Sequence, residues 1–209
     1  YAKQIGVKTI GHTTIEKVIK RRKLTFEVRK RSQRKIVFQK LRTRKSPKVM
    51  SPGYIEVDTI EIRTFHHTYY FVSIIDIFTR FAYVELLASK SSGCTRDSLI
   101  RFRKNYRHVV YSVQTDNGSE FFKSFHEYLD EQKIKHIFTY PNSPKLNGVV
   151  ERFNRTVQEE FINRSKDFGL NQEGFQTKLT NYLTWYNNSR PHSSLGYQSP
   201  MQFIKAIVQ

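Results

Sequence analysis

The 209-residue chain is 38% hydrophobic, with 16 Phe and 12 Tyr, enough to bury one sizeable core, and it carries a net charge of +18. Its single cysteine, Cys94, excludes an intramolecular disulfide and a cysteine-based zinc site and reads as a small buried or half-buried residue. No apolar run has the length of a membrane span and no signal-peptide pattern opens the chain, so the expectation is a soluble intracellular protein, its opening on Tyr1 that of a fragment whose start is missing.

The charge is uneven. Residues 1–50 hold 17 Lys/Arg against 2 acids, whereas residues 51–209 hold 19 against 16. A basic arm on a nearly neutral domain suits a polyanion. A membrane-surface segment would need a Trp/Leu-rich apolar face, which the arm lacks, so nucleic acid is the expected partner. Thr13–Lys23 has helical spacing, with Ile15, Val18 and Ile19 on one face and Lys17, Lys20 and Arg21 outside it. Two readings stand for it: the last helix of a helix-turn-helix module, or a solvated basic helix. Residues 29–48 read as an extended or loosely helical linker suited to phosphate contacts. Ser51-Pro52-Gly53 closes the linker and divides an arm, 1–50, from a core domain, 51–209.

Strands are expected over Tyr54–Ile62, Thr68–Ile75 and Phe81–Leu87, close enough in sequence for an antiparallel meander, the second apolar enough to be covered on both faces. A helix follows over Ser91–Tyr106, a strand over 109–115, a helix over Glu120–Glu131 and a strand over Ile134–Phe138. A polar loop, Tyr140–Gly148, leads into a helix from 148 to about 164, and Glu173–Asn188 reads as the last helix. The order describes an α/β domain with a mixed five-stranded sheet flanked by helices.

Three acids stand out. Asp58 sits within the first strand, Asp116 where a strand ends, and Glu151 in the first turn of a helix. Asn117-Gly118 supplies a tight turn after Asp116, a place where glycine's tolerance of positive φ is useful. Three carboxylates brought together repel one another unless a cation joins them. Oxygen ligands without His or Cys select Mg²⁺, or Mn²⁺ in its place, over zinc. Two such ions, about 3.5–4 Å apart, support in-line phosphoryl displacement without a covalent protein intermediate.

Five segments sharpen this reading: Glu56-Val-Asp58, Thr115–Phe121, Tyr140–Pro144, Asn147–Arg155, and the tail Tyr186–Gly196 followed by Ser199-Pro200. Together they resemble the DDE catalytic core of retroviral integrases and insertion-sequence transposases, over roughly residues 52–205, the tail favouring the bacterial transposases. One departure is that 34 residues separate Asp116 from Glu151, one fewer than in many relatives. The resemblance implies a ribonuclease-H-like fold and a transposase that nicks the DNA ends of a mobile element and joins the freed 3′-hydroxyl to target DNA. It implies Asp58, Asp116 and Glu151 as catalytic metal ligands. It also implies DNA contacts from the loop residues Asn117, Tyr140, Asn142, Ser143 and Lys145 and from Arg152 or Arg155 near the scissile phosphate, and with them a homo-oligomer on DNA in a bacterial, nucleoid-associated setting. Lys17, Lys20 and Arg21 are the arm's expected DNA contacts. Two alternatives remain: a nuclease that stops at hydrolysis, and a domesticated DNA-binding protein without activity.

Other residues have plainer expectations. His66-His67 reads as a hairpin tip and Asp76 as a turn carboxylate. Glu56 shares the strand face of Asp58. Glu120 is expected to open a helix, where its charge suits the dipole. Trp185 and Tyr186 are expected in the core, and Arg190 and His192 in structural contacts.

Overall fold

The computed structural model describes residues 11–22, 40–44, 47–65, 67–140 and 144–208. The chain divides into two compact units, Tyr1–Phe38 and Gln39–Gln209. In the first, helix α1 (His12–Arg21) exposes Val18 and Ile19 as well as Lys17 and Arg21.

The second unit is built on a mixed sheet with ribonuclease-H-like topology. Strands β2 (Tyr54–Arg63), β3 (Thr68–Asp76) and β4 (Ala82–Leu87) form the expected antiparallel meander. Strands β5 (Ser112–Thr115) and β6 (Lys135–Thr139) run parallel to β2 on its other side. Helix α2 (Ser92–Asn105) and helix α3 (Ser124–Glu131) cover one face, burying Leu99, Phe102, Phe125 and Leu129 against Ile55, Val57, Val72 and Ile74. Helix α4 (Gly148–Glu160) and helix α5 (Gln172–Asn188) cover the other, with Phe153, Val157, Phe175 and Leu179 on Ile60, Phe71 and Ile75. Alternation along β2 therefore turns Ile55 and Val57 toward α2 and leaves Glu56 and Asp58 facing α4. Among the described residues no helix is long and apolar enough to cross a membrane.

Four expectations about the secondary structure change. The sheet has six strands rather than five, in the order β1-β6-β5-β2-β3-β4, because Leu41–Thr43 (β1) pairs in parallel with β6. These residues come from the stretch read as a linker. Their pairing is a backbone event at a sheet edge, and three residues with one basic side chain, Arg42, leave no apolar period to read. The helix expected over Glu120–Glu131 is broken: a 3₁₀ turn spans Ser119–Phe121, and Lys123 takes φ 49 before α3 starts. The helix expected to reach 164 stops at Glu160 and continues only as a 3₁₀ turn, Ile162–Arg164. A further helix, α6 (Pro200–Val208), follows α5; it buries Ile204 and sets Phe203 edge-on to Phe78, 5.5 Å between ring centres.

Asp76 is the expected turn carboxylate, fully buried and accepting from the backbone N–H groups of Gly53, Phe78 and Thr79 and from the hydroxyls of Thr79 and Tyr106. His67 lies in the exposed β2–β3 turn; His66 lies outside the described residues. Tyr186 is buried as expected, but Trp185 is 46% exposed, since α5 points it away from the sheet. Arg190 and His192 make structural contacts: Arg190 grips both carboxylate oxygens of Glu160, and the His192 ring meets Tyr186 edge-on.

Candidate active site

Asp58 lies mid-strand on β2, facing α4. The parallel register pairs Glu56 of β2 with Gln114 of β5, so two residues further on Asp58 comes level with Asp116, just beyond the end of β5. Glu151 occupies the first turn of α4. What aims that helix is the bond network beneath its start. The Gln114 amide donates to the Leu146 carbonyl and to Asn147 Oδ1, both at 2.8 Å, while Tyr54 Oη holds the Gln114 carbonyl oxygen at 2.7 Å. Glu56, 2% exposed, accepts the Val150 N–H at 2.8 Å. Burial pushes its carboxyl up to about 7, against the pull of that N–H. Glu56 is thus an anchor for the helix that carries Glu151.

Asp58 accepts from its neighbour's N–H, Thr59, on Oδ1 at 2.8 Å and from the Asn154 amide on Oδ2 at 2.9 Å. Burial first, and then the negative charges of Asp116, Glu151 and Glu120, raise its carboxyl to about 6 against the pull of the Thr59 N–H. Asp116 is exposed, with Oδ1 fixed by the Gly118 N–H at 2.8 Å. Its carboxyl is also raised, by partial burial first and then by Glu120, against the Gly118 N–H and Lys90.

Two residues of this site were not assigned from sequence. Glu120 lies in the 3₁₀ turn Ser119–Phe121 and does not open α3, which starts at Ser124. It is 3% exposed, accepts from Thr59 Oγ1 at 2.8 Å, lies 3.3 Å from Lys90 Nζ, and its charge adds to the field on Asp58 and Asp116. Its signal was its place four residues after Asp116. Asn154 holds Asp58 and buries its own Oδ1 without a partner; its signal was one helical turn's separation from Glu151. Gly118 has an ordinary φ of −59, so positive φ is not why glycine stands there. A Cβ would lie 2.6 Å from the Glu120 carboxylate, and that close approach is the reason.

The expected DNA-contacting residues are scattered. Asn117 is half-buried and ties the Asp116 loop to the sheet edge, donating to the Thr139 carbonyl at 2.8 Å and accepting from Lys40 Nζ at 3.3 Å. The Tyr140 ring lies under the guanidinium groups of Arg42 (5.6 Å) and Arg44 (4.4 Å). Asn142 and Ser143 lie outside the described residues, as do the side chains of Lys145 and Lys20. Arg152 and Arg155 are both exposed on α4; Arg155, one turn on from Glu151, shares its face, and Arg152 does not. Lys17 and Arg21 belong to the other compact unit.

The donor set fits a hard divalent cation. It is all oxygen, it carries raised carboxyls that a cation would relieve, and the orphaned Asn154 Oδ1 is an acceptor for a hydrated ion's water. Among the described residues no three His, Cys, Asp or Glu side chains stand at metal-holding spacing. Asp116 and Glu151 are exposed enough to turn toward Asp58.

The integrase core domain family matches in two overlapping segments, residues 49–144 and 132–200. A putative integrase, ORF3 of Spiroplasma virus SpV1-C74, is 30% identical over 156 residues, covering 66% of this chain and 42% of its own. The transposase of insertion sequence element IS904 from Lactococcus lactis is 28% identical over 155 residues, 71% of this chain and 59% of its own. The chain thus spans about half the length of these relatives. Among solved structures, the HTLV-2 integrase catalytic core domain in complex with magnesium matches with TM-score 0.59 at 18% identity, over 72% of this chain and 95% of that one. A simian T-cell lymphotropic virus intasome chain matches with TM-score 0.64 at 17% identity, over 79% and 58%. These two likenesses speak for the fold.

Proposed function

Because the chain belongs to the integrase core family, we propose that it is the catalytic part of a bacterial DNA transposase, a polynucleotidyl transferase dependent on Mg²⁺ or Mn²⁺. The observation that carries the reading is the placement of Asp58 on β2, level with Asp116 just beyond β5 and facing α4, whose first turn holds Glu151. Asp58, Asp116 and Glu151 would hold two divalent ions, which when bound supply charge neutralisation and acidify the attacking water or hydroxyl.

The surrounding residues serve that centre. Asn154 and the Thr59 N–H fix both oxygens of Asp58, and the Gly118 N–H fixes one oxygen of Asp116. Glu56 and Gln114 hold the start of α4 and so orient Glu151. In the first step water attacks the phosphorus at an element end, the P–O3′ bond breaks, and a 3′-hydroxyl and a 5′-phosphate result. In the second, that hydroxyl attacks a target phosphodiester, so one ester bond forms as one breaks. The partners are then element and target DNA and further copies of this chain, in the bacterial cytoplasm, with residues 1–50 as the basic DNA-binding arm and 51–209 as the core.

The test uses duplexes bearing the terminal repeats that flank the gene, pre-nicked at the 3′ end, with plasmid and Mg²⁺. Joining is expected, and Asp116→Asn should abolish nicking and joining while DNA binding stays. Nicking without joining would support a nuclease instead; nicking by Asp116→Asn would remove the acid site from the chemistry.

A further inference from the structure

On the flank of α4 away from the acids lies a cavity of about 720 Å³, within the span of roughly 300–1,000 Å³ usual for sites that take small molecules. Its walls hold none of Asp58, Asp116, Glu120 or Glu151. They hold three arginines instead: Arg80 from the turn between β3 and β4, Arg152 from α4, and Arg190 from the segment after α5. Arg190 is already neutralised by Glu160. Among the described residues neither Arg80 nor Arg152 forms an ion pair.

Arg80 is unusual in three respects. It is half-buried, its side chain is held by a bond from Nε to Ser194 Oγ at 3.2 Å, and its backbone sits at φ 60. The acids whose field it feels are committed elsewhere, Glu56 to the Val150 N–H and Asp76 to its five donors. Burial lowers its pKa, helped by the charge of Arg152 and opposed by Tyr186, Glu56 and Asp76. At the cavity's rim Tyr197 is 77% exposed and also left-handed, at φ 63. Two of the four non-glycine residues with positive φ among the described residues therefore stand at this one cavity, and such strain persists where a fold makes use of it. In the wall, His192 is 8% exposed and its Nε2 has no partner.

Two guanidiniums without ion pairs and an open aromatic ring together fit an unpaired nucleotide: arginine forks suit phosphate oxygens, and a tyrosine face suits a base of any sequence. We propose that this cavity binds one unpaired nucleotide of DNA away from the bond being broken, its phosphate on Arg80 and Arg152 and its base against Tyr197. The inference rests on the DNA-joining function above, and it assigns Arg152 to this second site, leaving Arg155 to face the acids.

Calorimetric titration of the full chain with dTMP and with inorganic phosphate, in EDTA, tests it. The wild type should bind dTMP more tightly than phosphate. Arg80→Gln and Arg152→Gln should each weaken both by about tenfold, the loss of one charge-assisted hydrogen-bonding group. Tyr197→Ala should weaken dTMP and leave phosphate unchanged. Arg152 is exposed, so its variant stays informative even where the Arg80 variant disturbs the turn. Unchanged dTMP affinity in both arginine variants would overturn the site; equal phosphate and dTMP affinities would overturn the base platform. The titration involves no cleavage, so a chain that binds dTMP yet joins no DNA ends would refute the proposed function and leave this site standing.

Discussion

Asp58→Asn should make the metal-free protein more stable at pH 8 while removing its activity. The carboxyl is raised from 3.8 to about 6, some two pK units, which at 1.36 kcal/mol per unit is a destabilisation of about 3 kcal/mol for the ionised form. Asparagine removes that charge, but its single oxygen can satisfy only one of the two donors, Thr59 N–H and the Asn154 amide. The returned penalty of about 1–2 kcal/mol leaves a net gain of about 1–2 kcal/mol. For a chain of this size that is a rise in thermal midpoint of about 2–8 °C. Because the folded pKa lies above the unfolded one, the proton on Asp58 stabilises the fold; that contribution is complete below about pH 4 and is lost as pH rises through about 6. The advantage of the variant should therefore be full at pH 8 and mostly gone at pH 5. Differential scanning calorimetry in EDTA at both pH values measures it. A variant no more stable than wild type at pH 8, or equally advantaged at both, would refute the argument that Asp58 is a strained anion.

Asp76→Ala should cost about 3–5 kcal/mol in urea unfolding, because it strands three backbone N–H groups and two hydroxyls in the core; a loss under about 1 kcal/mol would contradict that count. Deleting residues 1–46 should lower the thermal midpoint more than deleting 1–38, since only the longer deletion removes β1 and Lys40, whose ammonium lies 4.1 Å from the Phe122 ring centre. Both deletions should flatten the dependence of DNA affinity on salt, and an unchanged slope would take DNA contact away from the arm. Asn154→Leu should cut strand joining at least about tenfold with the fold intact by circular dichroism, by freeing Oδ2 of Asp58.

Hydrophobic period made the meander, the parallel strands and the faces of α4 and α5 legible, and the three acids stood out because each sits at a recognisable boundary of such an element. What escaped lacked a period. β1 is three residues, Leu41-Arg42-Thr43, too short a stretch of backbone pairing to show an alternation. Lys123 breaks the helix at φ 49, and Glu120 before it bonds over long range to Thr59 and Lys90, neither of which a local pattern encodes. Helix α6 was legible in principle: Ser199, Pro200 and Gln202 form a capping box, the Ser199 N–H donating to the Gln202 side chain at 2.9 Å and the Gln202 N–H to Ser199 Oγ at 3.3 Å. Residue type points Trp185 to the core, whereas the helical phase of α5 exposes it.

Mn²⁺ affinity, read from the paramagnetic resonance of the free ion, bears most directly on the acid cluster. Wild type should bind Mn²⁺, and Asp58→Asn, Asp116→Asn and Glu151→Gln should each weaken binding by an order of magnitude or more, with DNA binding through the arm retained. Mn²⁺ held equally well by all three variants would show that these carboxylates do not share the ions.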